Sequence, residues 1–118
     1  MINGEFIYGC PSIELKINKA KIKLLLDTGF NGQIMLPQSL IDEFGLAQIG
    51  FSDFTLASGE QKRTNIYKVE IDFFDKIIKT DVLSTNADFS LVGMELFHKC
   101  RIVIERCNDL VQINKIST

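Results

Sequence analysis

Apolar residues recur at every second position over much of the chain. Ile13, Leu15 and Ile17 alternate with Glu14 and Lys16, the pattern of a strand buried on one face. After the polar break Asn18-Lys19-Ala20 the pattern resumes at Ile22, Leu24 and Leu26, so residues 12–27 read as a hairpin. Tyr67, Val69, Ile71 and Phe73 alternate with Lys68, Glu70 and Asp72, and Asp75-Lys76 looks like a turn into a further strand from Ile77 to Leu83. Near the end, Ile102-Val103-Ile104 and Leu110 to Ile113 flank a polar turn at Arg106 to Asp109, a second candidate hairpin.

Two segments carry helical spacing, and both are short. In LPQSLIDEFGL, Pro37 suits a first helical turn because its missing N–H has no partner there anyway. Leu40, Ile41 and Phe44 then recur on one face, Asp42-Glu43 is read as early enough to complement the dipole, and Gly45 supplies a left-handed stop. In GMELFHKC, Leu96 and Phe97 precede His98 and Lys99 near the C-terminal end of the dipole. No Pro/Gly/Ser linker, low-complexity tract or solenoid-length repeat divides the chain. Many short strands with one or two short helices predict an all-β domain over residues 1–118, built as a closed or nearly closed barrel.

Composition narrows the function classes. The chain has 118 residues, and a chain of that length buries roughly two-thirds of its unfolded surface, enough for a core without disulfide or metal. Thirteen basic residues against fifteen acidic ones give a net charge of −2, which favours neither nucleic acid nor an anionic membrane as partner. Cys10, Cys100 and Cys107 are odd in number and lack metal-ligand spacing, so they read as reduced thiols and point to a cytoplasmic protein. The opening MINGEFIYGC has no signal-peptide pattern, and no apolar run reaches the ~18 residues of a membrane span. No metal or other cofactor is expected: Cys, His and Asp form no cluster, and no glycine-rich phosphate loop is present. His98 stands alone at a helix end, which leaves no basis for a Ser-His-Asp or Cys-His arrangement.

Candidate chemistry concentrates in KIKLLLDTGFNG. The apolar run up to Leu26 would hold Asp27 rigidly at the mouth of the core. Thr28 offers a short hydroxyl that both donates and accepts. Gly29 is expected to permit a backbone bend that a Cβ resists and to let another chain approach closely. The bland alternative is a turn closing a hairpin, since all three residue types favour turns.

Three elements in order resemble the retropepsin-like aspartic proteases, single-domain relatives of the pepsins. The first is the apolar strand into Asp27-Thr28-Gly29. The second is the run FTLASGEQKRTNIYKVEI, similar to the flap hairpin at about residues 54–67 with its tip at Ala57, Ser58, Gly59 and Glu60. The third is SLVGMELFHKCRIVIE, similar to the family's second signature, with Leu91, Val92 and Gly93 leading into a short helix. The resemblance implies a β-barrel subunit that hydrolyses peptide bonds with two aspartates sharing a proton. Only one Asp-Thr-Gly is present, so the second aspartate must be Asp27 of another copy, making the enzyme a homodimer. It also implies that the two Thr28 hydroxyls brace the pair, and that an extended peptide substrate lies between flap and aspartates. The chain departs from the family's usual alanine or serine after the triplet, having Phe30, which cannot hydrogen-bond the aspartates and can fill part of a substrate subsite.

Two other readings compete with this one. The same fold could serve as an inactive dimerisation or peptide-binding module, with Phe30 obstructing catalysis. An unrelated small barrel could carry Asp-Thr-Gly as a mere turn. Residues 106–118 either join a dimer sheet or cap the barrel, and the sequence does not choose.

Overall fold

The computed structural model describes residues 1–55 and 58–116. Period-two patterning produced the hairpins it predicts. β3 (Cys10–Ile17) and β4 (Ala20–Leu26) pair antiparallel, as do β7 (Gln61–Phe73) and β8 (Lys76–Thr85), and β10 (Cys100–Glu105) with β11 (Leu110–Lys115). The first two hairpins turn through two residues that both have positive φ, Asn18-Lys19 and Phe74-Asp75, as mirror-image turns matching strand twist require. The second turn therefore sits one residue earlier than Asp75-Lys76. The β2–β3 hairpin, with β2 at Glu5–Ile7, turns the same way through Tyr8-Gly9.

Nonlocal pairing closes the barrel. Two short strands, β5 (Ile34–Pro37) and β9 (Ser90–Val92), join the hairpins edge to edge in the order β3-β4-β9-β5-β8-β7. The ring shuts where Lys16 and Ile17 of β3 pair with Asp72 and Ile71 of β7. Ile13, Ile17, Leu24, Ile34, Leu36, Ile71, Val82 and Val92 fill the interior, each almost completely buried. Strand β7 has 13 residues, of which only the C-terminal end belongs to this closure. Its N-terminal half pairs instead with β6 (Gln48–Thr55), from Gln48↔Tyr67 to Thr55↔Gln61, an antiparallel pair over the segment read as a flap.

Terminal strands cap one end. β1 (Ile2–Asn3) and β10 flank β11 in a separate sheet, and Val111 and Ile113 bury their side chains in the main core. The amide of Gly4 donates to the Val111 carbonyl at 2.8 Å. Within one chain, then, residues 110–115 cap the barrel.

The helical expectations need adjustment. The α-helix α1 spans Gln38–Phe44, and Pro37 is its N-cap rather than its first helical residue, doubling as the end of β5. Gly45 does provide the left-handed stop (φ 63°), with its amide donating to Asp42 and that of Leu46 to Ile41, a paired C-terminal cap. Asp42 and Glu43 lie late in this seven-residue helix, so they do not complement its N-terminal dipole. Asp42 instead accepts from Gln38 Nε2 at 2.9 Å. The GMELF segment forms a 3-10 turn over Met94–Phe97 that ends at an exposed His98.

Thr80 on β8 is wholly buried between the positions of Ile78 and Val82, and its hydroxyl has no hydrogen-bond partner among the described residues. A buried, unsatisfied hydroxyl costs about 1–3 kcal/mol. Thr80→Val is therefore expected to raise stability by about 1 kcal/mol, read as a higher urea midpoint at unchanged m-value; a lower midpoint would mean that the hydroxyl is paired.

Candidate active site

The Asp27 carboxylate is placed by backbone pairings that the sequence spacing does not reveal. Leu24, Leu25 and Leu26 pair in parallel with Ser90, Leu91 and Val92, and the next amide, that of Asp27, donates to the Val92 carbonyl at 3.0 Å. Chain direction then reverses: the Phe30 amide donates to the Asp27 carbonyl at 3.2 Å, and the Gly29 amide to Asp27 Oδ1 at 2.9 Å. One carboxylate oxygen is thus fixed by its own loop. Asp27 is half-buried, while Thr28 and Gly29 are exposed.

The two sequence signatures form one structure. Gly93 donates to the Gln33 carbonyl at 2.9 Å, Met94 to that of Phe30 at 3.0 Å and Glu95 to that of Gly32 at 3.3 Å. These bonds pin the loop after Asp27 against the strand-to-turn junction at Gly93. A Cβ on Gly93 would lie 2.6 Å from both the Phe30 carbonyl oxygen and Phe30 Cδ2, and would also meet the Gly32 carbonyl. Gly93 itself has an extended backbone (φ −105°), so its smallness answers a steric need, not a conformational one. Gly29 differs. Its φ is not left-handed, and a Cβ there would meet only Asp27 Oδ1, at an ordinary 3.4 Å. The bend expected of Gly29 is therefore not what this chain needs from it, and the space beside it is open.

Phe30 is buried, packed with Met35 and Leu83 and bordered by Ile66 and Leu91. This small apolar cluster floors a cavity of about 550 Å³ whose lining includes Asp27, Gly29 and Phe30. Its walls include residues that the sequence reading did not name individually, several of them within the segment read as a flap. Gln38 of α1, Thr55 of β6, Lys62 to Asn65 of β7 and Ser84 to Ala87 at the end of β8 all contribute. Part of the wall is wired together: Ser84 Oγ donates to Gln38 Oε1 at 2.6 Å, and Thr64 Oγ1 to the Ser84 carbonyl at 3.2 Å. Leu25, the partner of Leu91, lines a second hollow of about 460 Å³ with Tyr8 and Phe89, two exposed aromatic residues.

Of the proposed flap tip, Ser58, Gly59 and Glu60 are exposed and Gly59 has a left-handed φ of 87°, as a hairpin tip needs. They do not line the cavity of the single chain; Ala57 lies outside the described residues. Leu91 lines the cavity, whereas Val92 is fully buried and Gly93 buried behind the loop. Among the described residues no group of three or more His, Cys, Asp or Glu side chains could hold a metal ion. Cys10 and Cys107 are exposed free thiols, and burial pushes the half-buried Cys100 thiol up despite the nearby Lys115 charge.

A carboxylate on a strand-end loop, a second signature bonded to that loop and a projecting hairpin together define the retropepsin-like fold. Solved structures agree. A retropepsin-like aspartic protease from Rickettsia conorii superposes with a TM-score of 0.70 at 24% identity, over 98% of this chain and 89% of that one. EIAV protease, solved with the inhibitor HBY-793, matches with a TM-score of 0.64 at 19% identity, over 78% and 88% of the two chains. The retroviral protease-like domain of Ddi1 from Leishmania major matches with a TM-score of 0.56 at 14% identity, over 91% and 90%. No family model and no curated protein sequence matches the chain. The chain is similar to these proteases in fold. Among its described residues no helix is long and apolar enough to cross a membrane.

Proposed function

We propose that this chain is a cytoplasmic aspartic endopeptidase, a single domain over residues 1–118 that acts as a homodimer with Asp27 of each copy at a shared site. The observation that carries the reading is the tethered Asp27 carboxylate on the wall of a cavity lined in part by the β6–β7 hairpin. Rigid placement suits a group that must exchange a proton with a bound water without first reorganising. Two such carboxylates held close cannot both ionise readily, so they share a proton. One takes a proton from the attacking water while the other donates to the scissile carbonyl oxygen.

The open space beside Gly29 supports a partner copy, because the chain's own packing leaves room there for a Cβ. Thr28, exposed next to Asp27, is available to brace the pair across the two-fold axis. An extended peptide would then run between hairpin and aspartates, past the cavity and the Tyr8–Phe89 hollow. Phe30 contributes to the floor of this cleft: its ring is packed among Met35 and Leu83, which supports the catalytic reading over an obstructed binding module. Ser58, Gly59 and Glu60, together with Ala57, would close over the substrate.

Dilution tests the shared site. Specific activity against a peptide library, read by mass spectrometry, is expected to fall as protein concentration drops through the dimer dissociation constant measured by sedimentation. Undiminished specific activity from a strictly monomeric protein would rule the shared site out.

A further inference from the structure

Strand β7 brings two cations to the cavity wall, Lys62 and Arg63, and their partners distinguish them. Ile66 packs against the Phe30–Met35–Leu83 cluster that floors the cavity. Successive strand side chains point to opposite faces, so Thr64 and Lys62 share the side of Ile66, while Arg63 and Asn65 share the side of Tyr67. The contacts agree: Asn65 Nδ2 donates to the hydroxyl of Tyr67, a core residue. Arg63 Nε donates at 3.1 Å to its cross-strand partner Asp53, so its charge is already matched. Lys62 has no acidic partner among the described residues and, like Arg63, lines the cavity. Apart from Asp27 and the matched Arg63, Lys62 is the charged residue of the lining, in a chain whose net charge is −2.

We propose that Lys62 is a specificity-determining residue that selects a carboxylate side chain, aspartate or glutamate, on the peptide bound in this cavity. The inference rests on the endopeptidase reading for its substrate, but charge recognition does not require catalysis. An ammonium on a flexible stem reaches a range of carboxylate positions, and at the rim of an apolar-floored cavity the pair is less screened than on open surface. The polar wall formed by Ser84, Gln38 and Thr64 already has hydrogen bonds made, and Arg63 is engaged with Asp53, which leaves Lys62 as the lining cation without a carboxylate.

The test uses fluorescein-labelled octapeptide pools with Glu, Gln or Lys fixed at each position in turn. Wild type is expected to cleave the Glu pool about fivefold faster than the Gln pool at one position, an effect of the size of a partly screened ion pair. Lys62→Gln brings that ratio to about one, and Lys62→Glu turns the preference toward the Lys pool. Arg63→Gln leaves the ratio in place, and raising the salt compresses it. Equal Glu-to-Gln ratios in wild type and Lys62→Gln overturn the proposal while leaving the endopeptidase reading intact. If wild type cleaves none of the pools, the same series is read as binding to Asp27→Asn by anisotropy. A Glu preference there, lost on adding Lys62→Gln, upholds Lys62 and sinks the catalytic reading alone; no preference sinks both.

Discussion

Asp27→Asn is expected to abolish peptide cleavage, by about 10³-fold or more, without loss of folding or dimerisation. Asparagine keeps the oxygen that accepts the Gly29 amide, so the loop's internal bond survives, but it cannot take a proton from water. Removing carboxylates that repel when both ionise takes away a force that opposes association, so sedimentation of the variant is expected to show the same assembly as wild type or a tighter one. Mixing adds a second readout. A heterodimer of wild type and variant holds one carboxylate and is expected to be inactive, so excess variant suppresses wild-type activity once subunits exchange. Retention of most activity by Asp27→Asn, in a preparation free of contaminating proteases, ends the aspartic-protease reading.

Gly93→Ala carries the largest expected effect on stability. The new methyl meets the Gly32 carbonyl, the Phe30 carbonyl oxygen and the Phe30 ring, and backbone atoms bonded on both sides cannot move aside cheaply. Overpacking of this kind costs about 3 kcal/mol, at the upper end of the usual range. In a domain of this size that lowers the unfolding midpoint by about 10 °C. Gly29→Ala is the informative contrast. It adds its methyl at an ordinary contact distance, so stability of the isolated subunit is expected to change by less than about 1 kcal/mol. Its activity is nonetheless expected to fall sharply if the proposed dimer forms the site, because the same methyl would then stand in the approach of the second Asp27 loop. Calorimetry paired with the cleavage assay separates the two glycines; similar midpoints for both variants would contradict the packing described at Gly93.

The β3–β4 and β7–β8 hairpins were legible in the sequence because their strands alternate wet and dry positions, whereas β10 and β11 were read from apolar runs around a polar turn. Alternation such as Tyr67-Lys68-Val69-Glu70-Ile71 survives folding unchanged. Strand β5 was not legible for the opposite reason: Ile34, Met35 and Leu36 are all buried, so the run IMLP has no alternation to read. Three-residue β9 is too short to show any period, and the Lys16–Asp72 closure joins segments 56 positions apart (72 − 16). The Asp27 loop and the Leu91-Val92-Gly93 segment could be named from resemblance. Why Gly93 must be glycine appears only once the loop at Phe30–Gly32 is seen against it. The cavity wall at Lys62 to Asn65 was hidden inside a segment read only as a flap, because which of its faces turns inward depends on pairing with β6 and β8.

The division of β7 between two tasks also sets where this chain tolerates a change in length. From Gln61 to Tyr67 the strand is paired only to β6 on that edge, and the barrel's closing contacts begin at Ile71. Insertions or deletions around Ser58 to Glu60 therefore lengthen or shorten an arm without touching the ring. A single residue added between Val69 and Phe73 would instead exchange the inward and outward faces of a strand paired on both edges, exposing Ile71 and driving Asp72 into the interior. One strand thus holds a half that accepts a change in length and a half that does not, with the boundary near Ile66, where pairing with β8 begins.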